Sequence, residues 1–131
     1  MSEDQRKHLE LLQNTITRMA VNSFLIKGWS VTLVAALFAL AAKDSDRSFA
    51  IVSYFPCILF WCLDGYYLAQ ERKFRSLFEA ARSGKADLYS MNTQAHARER
   101  DTWLNSIFGT TLLLFHGTIV AVISSMMVIL R

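Results

Sequence analysis

The chain has 131 residues, 53% of them hydrophobic, and its 19% of charged side chains are gathered in a few segments. That leaves room for one domain, and runs that are apolar all round argue against a water-soluble bundle, whose core helices would carry polar faces. The net charge of +3 calls for no direct nucleic-acid binding, because an uneven spread of Lys and Arg across a membrane accounts for most of the excess.

The first twenty residues, MSEDQRKHLELLQNTITRMA, mix acids and bases and are not expected to act as a secretory signal. Within and beyond them Leu9, Leu12, Ile16, Met19, Ser23 and Ile26 recur at steps of three and four, the spacing of a helix that packs on another helix. A helix starting near Glu3 therefore runs without interruption into the apolar stretch from Gly28 to Ala42, which holds no ionisable side chain and is bracketed by Lys27 and Lys43. Read with Phe24, Leu25 and Ile26, it approaches the roughly 30 Å of a hydrocarbon core, with Lys27 reaching back to the headgroups. Asn14, Arg18 and Asn22 lie four apart on another face. They form either a solvated face or a polar stripe turned to the centre of a symmetric assembly, with a pore or gating role.

The polar turn Lys43 to Ser48 makes the first two spans a tight antiparallel hairpin. The second span, Phe49 to Leu63, contains the only proline, Pro56, where a kink or local break is expected. Cys57 and Cys62 sit on one helix, cannot bridge each other, and read as buried, inert thiols.

Asp64 stands at the inner end of this span, where an unpaired carboxylate is costly. From the turn centre near Ser45, Lys27 lies 18 residues back and Asp64 19 forward, so an antiparallel hairpin brings them to one depth and an ion pair is expected. Trp29, Trp61, Tyr66 and Tyr67 surround that level as interfacial aromatics. Proton relay by Asp64 is the alternative, weakened by the neighbouring ammonium. The helix should continue through AQERKFRSLFEAARSG with Phe74, Leu77, Phe78 and Ala81 on one face, and end at Gly84 as its C-cap. The hairpin register sets Phe74 beside Ile16 and Phe78 beside Leu12. Arg72, Lys73 and Arg75 lie just inside the membrane, where they attract an anionic lipid or ligand or simply express the positive-inside bias.

Lys85 to Asp101 reads as a connector with a helix possible from Asn92 or Thr93 onward. His96 and Glu99 make half of a metal site without a second pair, so no metal is expected. No catalytic triad, phosphate loop or other cofactor motif is present, so neither enzyme activity nor a cofactor is expected. The third span, Ile107 to Leu130, is the clearest, with Trp103 at its entry and His116 as its sole ionisable group. His116 is either a neutral imidazole bonded to a neighbouring helix or a pore-lining, gating group. Gly117, Ala121 and Ser124 offer a small-residue face for an oligomer interface.

The expected architecture is thus all-α and a single membrane domain: residues 1–42 as an extension plus first span, 49–84 as second span plus extension, 85–102 as connector, and 103–131 as third span. Eleven Lys and Arg on one side against three on the other put the N-terminus and connector in the cytoplasm and the C-terminus in the periplasm.

The segments QNTITRMAVNSFLIKGWSVTLVAALFALAAKD and LFWCLDGYYLAQERKFRSLFEAAR resemble a family of small bacterial inner-membrane proteins. More loosely they resemble the RipA-like proteins and the membrane accessory of the type VI-B CRISPR nuclease, which assemble as octamers. The likeness spans roughly residues 9 to 84, and the third span departs from the looser relatives. It implies a ring-like homo-oligomer in the bilayer, a pore that depolarises the cell in anti-phage defence, and a cytosolic defence partner. A non-conducting anchor or scaffold that recruits a cytosolic partner through the helical hairpin is the competing expectation.

Overall fold

A computed structural model describes residues 1–44 and 46–130; Ser45 and Arg131, which the sequence reading sets at the turn centre and at the end of the third span, lie outside them. The first helix, α1, runs from Glu3 to Asp44 without a break, 42 residues or about 63 Å at 1.5 Å per residue. Its start is a reciprocal capping box. The Gln5 N–H donates to Ser2 Oγ (3.1 Å) and the Ser2 N–H to Gln5 Oε1 (2.9 Å), which satisfies two donors that a helix terminus otherwise leaves unpaired. Glu3 and Asp4 in the first turn and Lys43 in the last complement the helix dipole.

After the turn, α2 (Ser48–Val52) leads through Ser53 into α3 (Tyr54–Arg82). The discontinuity lies at Ser53, three residues before Pro56, and its cause is still the proline. Pro56 has no N–H for the carbonyl four residues back, and its ring crowds that carbonyl, which belongs to Val52. The Ser53 hydroxyl turns back to the Ala50 carbonyl at 2.5 Å. At the far end α3 closes in a Schellman arrangement, with Lys85 N–H on Ala80 O (2.8 Å) and Gly84 N–H on Ala81 O (3.2 Å). Gly84 takes φ +77° there, a conformation that side chains with a Cβ rarely adopt.

The helix expected from residue 92 or 93 onward is not formed. Residues 85–98 run in turns, a single 3₁₀ turn covers Glu99–Asp101, and α4 (Trp103–Ile107) follows with Thr102 as its N-cap. Nor is the third span continuous with Trp103, because the chain breaks at Phe108 and Gly109 before α5 (Thr110–Ile129). A Cβ on Gly109 would stand 3.0 Å from the Arg72 guanidinium and 3.0 Å from the Ser106 carbonyl. The broken end is stapled by tryptophans: Trp61 Nε1–H donates to the Ile107 carbonyl at 2.8 Å and Trp103 Nε1–H to the Cys62 carbonyl at 3.1 Å. The first of these occupies a carbonyl in the last turn of α4.

Among the described residues the chain is all-helical, and three helices are long and apolar enough to cross a membrane: Glu3–Asp44, the combined Ser48–Arg82, and Thr110–Ile129. α1 and the α2–α3 segment form a long antiparallel hairpin, and α5 lies against it. The buried seam of α1 is His8, Leu12, Thr15, Ile16, Ser23, Ser30, Val34 and Ala41, which extends the three-and-four spacing well past Ile26 and changes from large to small residues as it enters the apolar stretch. Small side chains let helices approach closely where water expulsion contributes little. Beyond Ala69 the buried positions of α3 are Ser76, Leu77 and Ala80, while Phe74, Phe78 and Ala81 are half-buried. The packed face is therefore rotated from the expected one toward the connector, which covers that side. Val34, Cys57 and Ile123 make a core cluster from all three spans, flanked by Phe38, Tyr54, Ile119 and Val120.

Gly65 is where α4 meets α3. A Cβ built there would lie 3.1 Å from Ile107 Cβ and 3.3 Å from its Cα, whereas one on Gly28 meets nothing within 4 Å. Gly65→Leu should therefore cost about 1–3 kcal/mol by overpacking, whereas Gly28→Ala should gain up to about 1 kcal/mol of helix propensity. Thermal unfolding in mild detergent is expected to show a lowered midpoint for the first and an unchanged or raised one for the second; the reverse order would refute the α3–α4 contact.

Candidate functional site

One buried carboxylate gathers side chains from three helices. α3 carries Asp64, which is fully buried. α1 supplies Ser23 and Lys27, one turn apart on the seam, and α5 supplies His116, also fully buried. Lys27 Nζ stands 2.6 Å from Asp64 Oδ2 and donates to Ser23 Oγ at 2.8 Å. The Ser23 hydroxyl donates in turn to Asp64 Oδ1, and His116 Nε2 reaches Oδ2 at 2.8 Å. Both carboxylate oxygens are thus engaged, and the Lys27, Ser23 and Asp64 contacts close into a ring.

The surroundings fix this geometry. Trp61, one turn before Asp64 on α3, stacks on the His116 ring with centroids 5.8 Å apart and planes 11° from parallel. Phe115 presents its face to Lys27 Nζ at 5.9 Å, a cation–π contact. Lys27 keeps 17% of its side chain exposed, so its ammonium end has a route outward while its stem lies along the helices. His116 Nδ1 is buried and has no hydrogen-bond partner. The carboxylate needs a donor, so Nε2 is assigned a proton.

Ser23 and Lys27 at i, i+4 look at first like a serine–lysine catalytic pair. Such a pair needs a lysine with a free lone pair to take the serine proton. Here the Lys27 ammonium is held on a carboxylate and the Ser23 hydroxyl points its proton at the same carboxylate, so the arrangement locks three helices together and prepares no nucleophile. Among the described residues no cluster of three His, Cys, Asp or Glu side chains has metal-binding geometry.

The remaining site candidates are dispersed. His116 does not line an open face, because it is enclosed within the single chain. Asn14 and Arg18 are exposed and Asn22 half-buried, away from the Asp64 centre. Of the small-residue face, Ala121 is exposed and Gly117 half-buried with open space around it, whereas the Ser124 hydroxyl lies 2.8 Å from the Tyr54 hydroxyl of the same chain. Arg72 is not free for lipid along its whole head: Nη1 donates to the Arg100 carbonyl at 2.9 Å and approaches Ser106 Oγ at 3.4 Å. Arg75 pairs with Glu71 at 2.9 Å, and Lys73 is half-buried.

The connector is latched to the start of α1. His8 Nε2 meets the Ser90 carbonyl at 2.8 Å, and the Tyr89 hydroxyl donates to Asp4 Oδ1 at 3.1 Å. Tyr89 adopts φ 59°, unusual for a bulky residue. Its hydroxyl proton is held above its ordinary range by desolvation and then by the Asp4 carboxylate it bonds.

Comparison with protein-family models, curated proteins and solved structures finds no match for this chain. Function is therefore argued from the geometry.

Removing one member of the centre should cost more than removing two. Lys27→Ala or Asp64→Ala alone leaves a desolvated charge unpaired, a loss of about 3–5 kcal/mol in comparable buried pairs; the double variant leaves none. A double-mutant cycle on unfolding in detergent should give a clear non-additive coupling, and strictly additive losses would remove the pair from the account.

Proposed function

We propose that the chain is an integral protein of the bacterial cytoplasmic membrane that serves as a non-conducting anchor or scaffold, offering the α1–α3 hairpin extension and its latched connector to a cytosolic partner. The observation that carries this reading is that the buried Asp64 carboxylate at span level finds its partners within one chain. Lys27 and His116 each bond Asp64, and the side chains left outward between Gly28 and Ala42, Phe49 and Leu63, and along α5 are apolar or small. Three outward hydroxyls are also occupied: Thr32, Thr118 and Ser125 donate to the carbonyls four residues back. A conducting path needs groups that replace an ion's water, and these three hydroxyls are turned to their own backbone.

The eleven-to-three split of Lys and Arg supports the orientation with the N-terminus and connector in the cytoplasm and the C-terminus in the periplasm. On that orientation the exposed Asn14 and Arg18 belong to the partner-facing hairpin and line no channel.

A second reading, an oligomeric pore or membrane-perturbing effector in anti-phage defence, is favoured by one observation: Ala121 is exposed and Gly117 has open space beside it, a face on which second copies pack closely in lipid. The two readings part on conductance. Reconstituted in liposomes loaded with a self-quenching dye, the protein should release none at any protein-to-lipid ratio, whether light scattering finds it monomeric or oligomeric. In cells, a photo-crosslinker at residue 14 or 18 should capture a soluble protein that the same probe at Val128 does not. Dye release abolished by Gly117→Leu or Ala121→Leu would overturn the anchor reading in favour of the pore. Orientation is checked with single cysteines at Asp46 and Asp87 in a chain whose Cys57 and Cys62 are replaced by Ala: an impermeant thiol reagent on intact cells should label position 46 and spare 87, and the opposite pattern would invert the topology.

A further inference from the structure

Two adjoining clefts lie where the connector crosses α3, and both are lined by arginines from two separated stretches of the chain. One, of about 330 Å³, is bounded by Leu68, Glu71, Arg72, Arg75 and Arg100. The other, of about 240 Å³, adds Ser76 and Arg98 and shares Arg75 and Arg100 with the first. The turn chemistry of the connector builds this convergence. The Arg98 N–H donates to Asp101 Oδ2 at 2.8 Å and the Ser76 hydroxyl to the same oxygen at 2.6 Å, so the fully buried Asp101 pins the 3₁₀ turn to α3. Arg72, donating to the Arg100 carbonyl, adds a second tie.

The charges around the clefts do not cancel. Four guanidiniums face Glu71 and Glu79, and those two carboxylates are already bonded within α3, to Arg75 and Arg82. Arg98 makes no ion pair among the described residues, and Arg100 has only Asp101, whose Oδ1 is 3.8 Å from its Nε. Arg100 keeps 67% of its side chain exposed, so its donors are available to a ligand. Planar guanidiniums converging from two directions match the bidentate geometry of a phosphate group. The level is also right for a lipid: Arg72 follows Asp64 by two helical turns and stands beside Gly109, the residue before α5 enters its apolar run.

We propose that Arg72, Arg75, Arg98 and Arg100 form a phosphate-binding cleft whose ligand is the phosphate of an anionic phospholipid headgroup at the cytoplasmic face. A soluble phosphate presents the same chemistry, and the test separates the two sources. Full-length protein is exchanged into a neutral detergent and titrated with phosphatidylglycerol, with phosphatidylcholine, or with inorganic pyrophosphate. Retained molecules are counted by native mass spectrometry and the thermal midpoint is followed in parallel. Phosphatidylglycerol should be retained and raise the midpoint, and phosphatidylcholine should do neither.

Arg98→Gln with Arg100→Gln should weaken retention about tenfold or more, the loss expected for charge-assisted hydrogen bonds. Arg6→Gln with Lys85→Gln, an equal loss of charge at exposed positions outside the clefts, should not. Both arginines are exposed, their hydrogen bonds run through backbone atoms that Gln retains, and the one side-chain tie lost is the 3.8 Å Arg100–Asp101 ion pair, so the variant is expected to fold, with its midpoint in lipid-free detergent as the check. Retention of pyrophosphate but not phosphatidylglycerol would move the ligand to a soluble phosphate and overturn the lipid assignment. Equal retention of phosphatidylglycerol by the two double variants would overturn the cleft altogether.

Discussion

The Asp64 carboxylate is the constraint on which the rest of this structure depends. An ionised carboxylate at span depth is unfavourable by several kcal/mol unless partners from the protein replace its water, and here the partners come from every span. Ser23 and Lys27 hold it to α1, and His116 holds it to α5. Because each partner is itself polar and buried, none can leave without exposing the others. This coupling fixes the rotation and the axial position of three helices that apolar packing alone would specify loosely. In a bilayer that matters more than in water, since lipid tails solvate a leucine as well as a neighbouring helix does.

Around that point the remaining features fall into place by depth. Toward the turn end the helices are joined by small and apolar side chains, Val34, Cys57 and Ile123 among them. Toward the connector end the same seam takes on Leu12, Ile16 and Leu77, and the pairings become those of a soluble helical hairpin. Between the two lies a belt of directional contacts: the indole bonds of Trp61 and Trp103, the Arg72 bridge to the connector, and the break at Gly109. The break lets the third span start at a new angle after α4 has packed on Gly65. The Asp46 carboxyl in the turn is held below its usual range by the backbone N–H and hydroxyl of Ser48. That folded-state preference is present at neutral pH and is lost only as pH falls through the lowered value, so the turn is not sensitive to pH in the physiological range.

Much of this was legible in the sequence because it obeys simple periodicities. The three apolar runs, the hairpin, the Lys27–Asp64 depth match and the Gly84 terminus follow from length, spacing and turn chemistry. What the sequence concealed was long-range. His116 lies 15 residues from Arg131 while Asp64 lies 19 from Ser45, a depth difference of about one helical turn at 1.5 Å per residue. That count does not by itself name a pairing, because only a known crossing angle turns depth into contact. Ser23 was read as an apolar-seam position, and nothing local marks it as a donor to Asp64. The helix anticipated in the connector fails for a physical reason. The Asp101 and Asn92 side chains accept from the backbone N–H groups of Arg98 and Gln94 and so favour turns over a helix, while Tyr89 and Ser90 are drawn to α1. The break was traced to the right proline, and its position three residues upstream, at Ser53, follows from the Val52 carbonyl that the proline leaves unpaired.

The central claim is that the buried bond from His116 to Asp64 is one of the ties that hold the third span to the hairpin. Its most direct test is to insert a specific protease site after Thr93, cleave the purified full chain in mild detergent, and ask by size-exclusion chromatography whether the two pieces stay together. With the native residues they should co-elute. His116→Leu, which keeps the bulk but removes the bond to Asp64, should release the third span at protein concentrations about tenfold or more above those at which the native pieces separate, as expected for one hydrogen bond to a charged group. Equal association of the two cleaved proteins would contradict the account.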